Sequence, residues 1–115
     1  MIDSYEFGVM IINRKKYTSD VVVLPDQAVR NWWRKEGHRL YVEDLKDVLN
    51  AEPKPEVLVV GTGYYGLVKI SSEVKNTLES SKIELIAKPT TDACQTVNEL
   101  LKSNRKVAAA FHLTC

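Results

Sequence analysis

Val57-Leu58-Val59-Val60, Ile83-Glu84-Leu85-Ile86 and Lys106-Val107-Ala108-Ala109-Ala110-Phe111-His112-Leu113 are short runs rich in apolar residues, and the segments between them carry helix signals. Ser71 or Ser72 can N-cap a helix with Val74 and Leu78 on one face. Thr90-Thr91-Asp92 offers three candidate caps for a second helix. Asp92 with Gln95 has capping-box spacing, and Ala93, Val97, Leu100 and Leu101 form an apolar stripe. Asn104 suits the left-handed position after that helix. The order is therefore βαβαβ. Connections of this length are too long for hairpins, so they predict crossovers on a largely parallel sheet, with the Val57 and Ile83 strands parallel and adjacent or nearly so. Apolar strands without polar alternation agree with a sheet covered on both faces.

The loop after the first of these strands, Gly61-Thr62-Gly63-Tyr64-Tyr65-Gly66, matches G-x-G-x-x-G literally. In a dinucleotide fold those glycines let the backbone approach a pyrophosphate at a helix N-terminus. Here Leu67-Val68-Lys69-Ile70 intervenes before the helix cap, so the required context is missing. A turn that needs glycine at positive φ explains the loop as well. A third reading places a ligand crevice at the carboxyl end of the strand, as in open α/β sheets. The Lys88-Pro89-Thr90-Thr91 turn would emerge beside the loop, making a weak anion site near the helix start.

Two cysteines and two histidines bear on chemistry. Cys94 lies in the first turn expected for the second helix, where the helix dipole favours a thiolate. The alternative is a small buried apolar side chain. His112 and Thr114 share one strand face, with Leu113 on the other. A Cys–His pair supports nucleophilic chemistry only within hydrogen-bond reach, and no third orienting group has a diagnostic spacing. A histidine bonded at the end of the sheet is the plainer reading. None of the close ligand pairs of structural zinc sites is present, so no metal is expected.

The N-terminal third reads as strands. Phe7 to Ile12 is β-rich, Asn13-Arg14 is a plausible tight turn, Lys15-Lys16-Tyr17-Thr18 returns, and Asp20 to Leu24 is the next β-branched run before Pro25-Asp26. Gln27 to Arg39 gives a poor secondary-structure signal but holds Trp32, Trp33, Arg34 and His38. Tryptophan and arginine are enriched at interface hot spots, which makes this stretch a candidate partner surface. Adjacent tryptophans in an extended segment point to opposite faces, so one should cover the sheet and the other be free for contact. Val42, Leu45, Val48 and Leu49 then mark a short amphipathic helix, ended by Pro53 and Pro55.

The 115 residues fit one domain, 1–115, and 44% hydrophobic with 27% charged residues is an ordinary globular balance. A net charge of +1 gives no electrostatic footprint for nucleic acid or an acidic membrane surface. The apolar runs are too short to span a bilayer, and no leader pattern is visible at the N-terminus. Two cysteines make no disulfide framework, so the cytoplasm is the expected compartment.

Phe7-Gly8, Asp20-Val21-Val22-Val23, Trp33-Arg34 through Gly37-His38, Gly61-Thr62-Gly63, Asn98-Glu99-Leu100-Leu101 and the closing Phe111-His112-Leu113-Thr114-Cys115 occur in this order along the chain. Together they resemble a small family of archaeal and bacterial hypothetical proteins. The family also includes the mammalian adipogenesis-associated domain protein and, distantly, a mitochondrial complex I assembly factor. The resemblance implies a three-layer α/β fold with a mixed central sheet and an extra β layer from the N-terminal strands. It implies no enzymatic activity and carries over no catalytic residue; no cofactor is expected. The assembly-factor relative suggests protein–protein interaction.

The expected function is a non-enzymatic protein-binding or assembly domain. It would meet a protein partner or a second copy of itself through Trp32, Trp33, Arg34 and His38, or through an exposed sheet edge. The rival expectation is a small-molecule, anion-binding or enzymatic domain. Its crevice would gather Gly61, Thr62, Gly63, Tyr64, Thr90, Thr91, Cys94 and His112.

Overall fold

The computed structural model describes residues 1–115. In chain order they form β1 (Ile2–Glu6), β2 (Val9–Ile12), β3 (Lys15–Tyr17), β4 (Val21–Val23), β5 (Val29–Asn31) and β6 (Arg39–Leu40). A 3-10 turn over Val42–Leu45 continues as α1 (Lys46–Leu49), followed by β7 (Val57–Thr62), β8 (Lys69–Ile70), α2 (Ser72–Ser80), β9 (Glu84–Lys88), α3 (Thr90–Lys102) and β10 (Val107–His112).

The central sheet has the order β5-β4-β10-β7-β9. β7 pairs parallel with both β10 and β9, so the Val57 and Ile83 runs are adjacent and parallel as expected. β4 pairs antiparallel with β10 and with β5. The sheet is therefore mixed, as the resemblance implies: β9, β7 and β10 form the parallel part expected from the βαβαβ order, and β4 and β5 the antiparallel part. The connection from Val23 to Val29 is short enough for a hairpin, and it adds an antiparallel half.

Every residue of β7 and β10 is buried, because alternate side chains serve two cores. Leu58, Val60, Ala108 and Ala110 join Val74 and Leu78 of α2, with Leu45 and Val48 from the turn and α1. Val57, Val59, Val107, Ala109 and Phe111 join Ala93 and Val97 of α3. Ile2, Met10 and Ile12 complete this second core, which places the antiparallel β1-β2-β3 meander in the α3 layer. The three layers are therefore α1/α2, the sheet, and α3 with the meander. Asn98 fastens the start of the meander to α3: it accepts from the Ile2 amide and donates to the Ile2 carbonyl, each at 2.9 Å.

Several local signals act as read. Ser71 caps α2 by accepting from the Val74 amide at 3.3 Å, and Asn13, Arg14 and Asn104 adopt positive φ of 49°, 69° and 59°. Phe7-Gly8 does not open a strand. It is the turn between β1 and β2, with Gly8 at φ 79°. β1 escaped the pattern because Asp3, Ser4 and Glu6 leave it exposed along most of its length.

The adjacent tryptophans divide as extended backbone requires. Trp32 is 7% exposed and donates its indole N–H to the Asp44 carbonyl at 2.9 Å, whereas Trp33 is 78% exposed. Trp32→Phe should cost about 1.5 kcal/mol, since it leaves a buried carbonyl unpaired. Trp33→Phe should change stability by less than about 0.5 kcal/mol. Urea denaturation measures both, and equal effects would contradict this division.

Candidate functional site

The carboxyl ends of β7 and β10 are where a crevice was expected, and there the chain closes on itself. Thr90 is fully buried. Its hydroxyl accepts from the Gly63 amide at 2.9 Å and donates to the His112 carbonyl at 2.7 Å, while its own amide donates to the Gly63 carbonyl at 3.0 Å. Thr90 is therefore not the cap of α3, and neither is Asp92. Pro89 holds the N-cap position without a side-chain bond, so the Asp92/Gln95 capping box is absent. The Thr90 hydroxyl is directed into the strand ends instead, where two otherwise unsatisfied backbone groups meet it.

The glycines follow from this closure. Gly61 has ordinary φ, but a Cβ there would lie 2.8 Å from Phe111 Cδ1 and 2.9 Å from Thr90 Oγ1. Gly63 and Gly66 take φ of 105° and 69°, so the turn reading of the loop holds at two positions. The C-terminal segment covers the rest. Tyr64 donates its amide to Thr114, Gly8 donates its amide to Leu113, and the Tyr5 hydroxyl donates to Leu113, at 2.9, 2.7 and 2.8 Å. Gly61, Thr62, Gly63 and His112 line none of the five surface cavities. Thr91 lies exposed outside the closure, and Lys88 Nζ reaches Thr96 Oγ1 at 3.1 Å.

Cys94 is the fifth residue of α3, beyond its first turn, and is 8% exposed in the second core. Burial pushes its thiol up to about 12, so of the two readings the small buried apolar side chain holds and the thiolate does not. The dipole at the helix start is too weak to offset removal of the sulfur from water. Cys115 is exposed.

His112 and Arg34, assigned to separate sites from the sequence, meet around Asp20. His112 Nδ1 and Arg34 Nη2 lie 2.7 and 2.8 Å from Asp20 Oδ2, and the Leu113 amide donates to Asp20 Oδ1 at 2.9 Å. His112 Nδ1 is also 2.7 Å from Arg34 Nη2. One ring nitrogen cannot donate to the carboxylate and accept from the guanidinium at once. The carboxylate can only accept, so it takes both N–H groups. Burial pushes the Asp20 carboxyl up, but bonds from His112, the Leu113 amide and Arg34 outweigh it and hold the group below the usual range. Arg34 Nη1 also donates to the Gly37 carbonyl at 2.6 Å, and its guanidinium lies 5.0 Å from the Trp32 ring centroid. Arg34 and Trp32 thus share the inward face, leaving Trp33 and His38 exposed. The His38 and His112 rings lie 6.5 Å apart.

Above the closed end stands an exposed aromatic group that the sequence reading did not assemble. Phe7 is 49%, Tyr64 45% and Tyr65 65% exposed. Ring centroids are 5.7 Å apart for Phe7–Tyr64, 6.4 Å for Phe7–Tyr65 and 5.1 Å for Tyr64–Tyr65. Tyr5 extends the group inward at 6.3 Å from Tyr64, and Leu67 follows in the loop at 47% exposed. The β1–β2 turn and the glycine loop bring these rings together across more than fifty residues of sequence. A signal existed in the run Tyr64-Tyr65 beside glycines, but Phe7 was hidden in an expected strand.

Residues 2–112 match the family described as protein of unknown function DUF498/DUF598. Among solved structures, a conserved hypothetical protein from Pyrococcus horikoshii is 30% identical, with a TM-score of 0.89 over 100% of this chain and 99% of that one. A Bartonella henselae protein described as an outer membrane protein is 25% identical, with a TM-score of 0.85 over 99% and 94%. A Bordetella pertussis protein described as a Mth938-like domain shares the fold at 20% identity, with a TM-score of 0.73 over 97% and 84%. No match was found among curated proteins. No helix of this chain is long and apolar enough to cross a membrane.

The buried thiol and the polar knot each give an expected outcome. A thiol reagent such as DTNB should modify Cys115 at once and Cys94 only as the protein opens. Two equally fast phases would contradict the burial of Cys94. Because the folded Asp20 carboxyl titrates below its unfolded value, its contribution is present above about pH 4 and lost as pH falls through the folded value. Asp20→Asn should therefore cost about 2 kcal/mol at pH 7 and reduce the fall in stability between pH 7 and pH 3, read by urea denaturation. An unchanged pH profile would remove Asp20 from the acid response.

Proposed function

The chain belongs to the DUF498/DUF598 family of proteins of unknown function, and on that premise we propose that it is a non-enzymatic domain that docks a partner protein. The observation that carries this reading is the exposed cluster of Phe7, Tyr64 and Tyr65, with Leu67 beside it. Grouped exposed aromatic rings differ in kind from a single exposed side chain such as Trp33, which is ordinary surface. Tyrosine and phenylalanine offer large contact area at low entropy cost, and the two hydroxyls can pair with a partner's polar groups. The rings also stand on a rigid base. The Tyr64 amide is fixed by Thr114, and Gly63 by Thr90, so little ordering is needed when a partner docks. The same kind of surface serves an assembly role. Two unpaired cysteines support a reducing compartment, the cytoplasm.

The rival reading, a small-molecule or anion crevice at the same end, has less support. The donors it would use already bond within the chain, and a binding crevice is usually concave with convergent polar groups.

Selection of a displayed peptide library on the wild-type protein tests the proposal, with each selected binder retitrated against Phe7→Ala/Tyr65→Ala. Both positions are exposed, so the double variant should stay folded. Affinity should fall at least about tenfold, as loss of one anchor worth about 1.4 kcal/mol requires. Binders indifferent to both substitutions would overturn the aromatic surface. A raised melting temperature with a library metabolite, unaffected by the same substitutions, would favour the crevice instead.

A further inference from the structure

β9 is an outer strand of the central sheet, and its free edge has a property that the opposite edge lacks. The Glu84 amide donates to Glu56 at 3.0 Å, so Glu84 directs its backbone groups toward β7. Strand peptide groups alternate, so Ile86 and Lys88 also face β7, and Leu85 and Ala87 turn their N–H and C=O groups outward. The sequence of this edge is Glu84-Leu85-Ile86-Ala87-Lys88. Laid antiparallel against a second copy and centred on Ile86, it pairs Leu85 with the second copy's Ala87 and Ala87 with its Leu85. Both are hydrogen-bonding pairs that use only the outward groups. The same register sets Glu84 opposite Lys88 at each end and Ile86 against Ile86 in the middle, all three pairs on one face. Shifting the register by two residues either brings Pro89, which has no N–H, opposite Leu85 or sets Lys88 against Lys82.

We propose that this edge is a homodimer interface, in which two copies join β9 to β9 about a two-fold axis and extend the five-stranded sheet through both subunits. The occupant is a second copy because the edge is complementary to itself in charge, in apolar contact and in backbone pairing at one register. The flanking helix agrees. Lys75 and Glu79 lie on α2 beside β9, in a surface hollow of about 420 Å³ bordered by Leu78, Ile83 and Leu85. The two-fold axis runs α2 of each copy antiparallel to the other on the same face of the sheet, so each copy brings one lysine and one glutamate to that side. At present Glu84 is held only by Arg105 at 3.7 Å, and Lys88 only by the Thr96 hydroxyl at 3.1 Å, both on exposed surface. The opposite edge excludes the same arrangement. β5 is Val29-Arg30-Asn31, and its self-pairing would set Arg30 against Arg30. This surface is separate from the aromatic cluster, so the two proposals stand or fall independently.

Sedimentation equilibrium of the full chain from about 10 µM to about 1 mM, at low and at high salt, tests the proposal. The expected result is a concentration-dependent dimer that weakens with salt. Glu84→Lys and Lys88→Glu should each weaken it at least about tenfold, because each sets like charges opposite one another at both ends. The double exchange Glu84→Lys/Lys88→Glu should restore it to within about threefold. In wild-type protein the Leu85 and Ala87 amides should exchange with deuterium more slowly as concentration rises. That measurement needs no variant to fold. A wild-type chain monomeric throughout the range would overturn the proposal. So would a dimer whose strength ignores both charge reversals, or Leu85 and Ala87 amides whose exchange does not change with concentration.

Discussion

The Thr90 hydroxyl is the constraint on which the carboxyl end of the central sheet depends. It is fully buried and joins the Gly63 amide to the His112 carbonyl, so one side chain ties the start of α3 to the ends of two neighbouring central strands. Leaving either group unpaired in that interior would cost about 1–3 kcal/mol, which is large against the stability of a small domain. The approach needed to make both bonds leaves no room for a side chain at Gly61. It also uses the Thr90 amide on Gly63, one of the helix-start donors that an open α/β sheet would offer to an anion. Closure of the crevice and the glycine at position 61 are thus two results of one packing decision.

A closed sheet end leaves its exposed chemistry on the outside. The glycine loop must turn over Thr90, which lifts Tyr64 and Tyr65 into solvent, and the turn at Gly8 presses Phe7 against them. Beneath, Asp20 gathers His112, Arg34 and the Leu113 amide, joining the start of β4, the Trp33-Arg34 segment and the end of β10. An Asp–His contact in a cleft would suggest acid–base chemistry. Here the arginine on the same carboxylate oxygen makes it an ion-paired knot. Its cost of desolvation is offset by hydrogen bonds that satisfy both carboxylate oxygens. The knot holds in place the tail that supports the aromatic rings.

What could be read from the sequence follows the range of the forces involved. Caps and turns depend on neighbours, and Ser71, Asn13 and Asn104 behave as their chemistry dictates. The apolar runs showed a sheet covered on both faces, because burying β7 and β10 requires it. The antiparallel half of the sheet is legible only through the family resemblance, since nothing local tells Val21 to pair with Phe111 ninety residues away. The site failed for the same reason. Thr90 looked like a cap because threonine caps helices, and only the distant Gly63 and His112 make its hydroxyl a bridge. Asp20 carries no local signal, because its partners lie at Arg34, His112 and Leu113. Arg34 was within reach, since extended alternation places it on the same face as Trp32, and an inward tryptophan carries an inward arginine with it.

The edges of the sheet extend the same logic. A sheet that ends in free strands must manage two rows of unpaired backbone groups, and charge on the edge is the usual means. β5 uses a lone arginine, paired within the chain to Asp47 at 3.6 Å, which no second copy of β5 can oppose favourably. β9 carries one charge of each sign, spaced so that reversing the strand exchanges them. Against an arbitrary strand those charges are as discouraging as the arginine, because only a partner with the opposite order meets both. Against its own copy they become attractive, and the apolar pair between them is covered. Specificity of this kind comes from rejecting the wrong strand as much as from holding the right one. With the sheet end closed, the β9 edge and the aromatic cluster are the two exposed features whose composition is not that of ordinary surface.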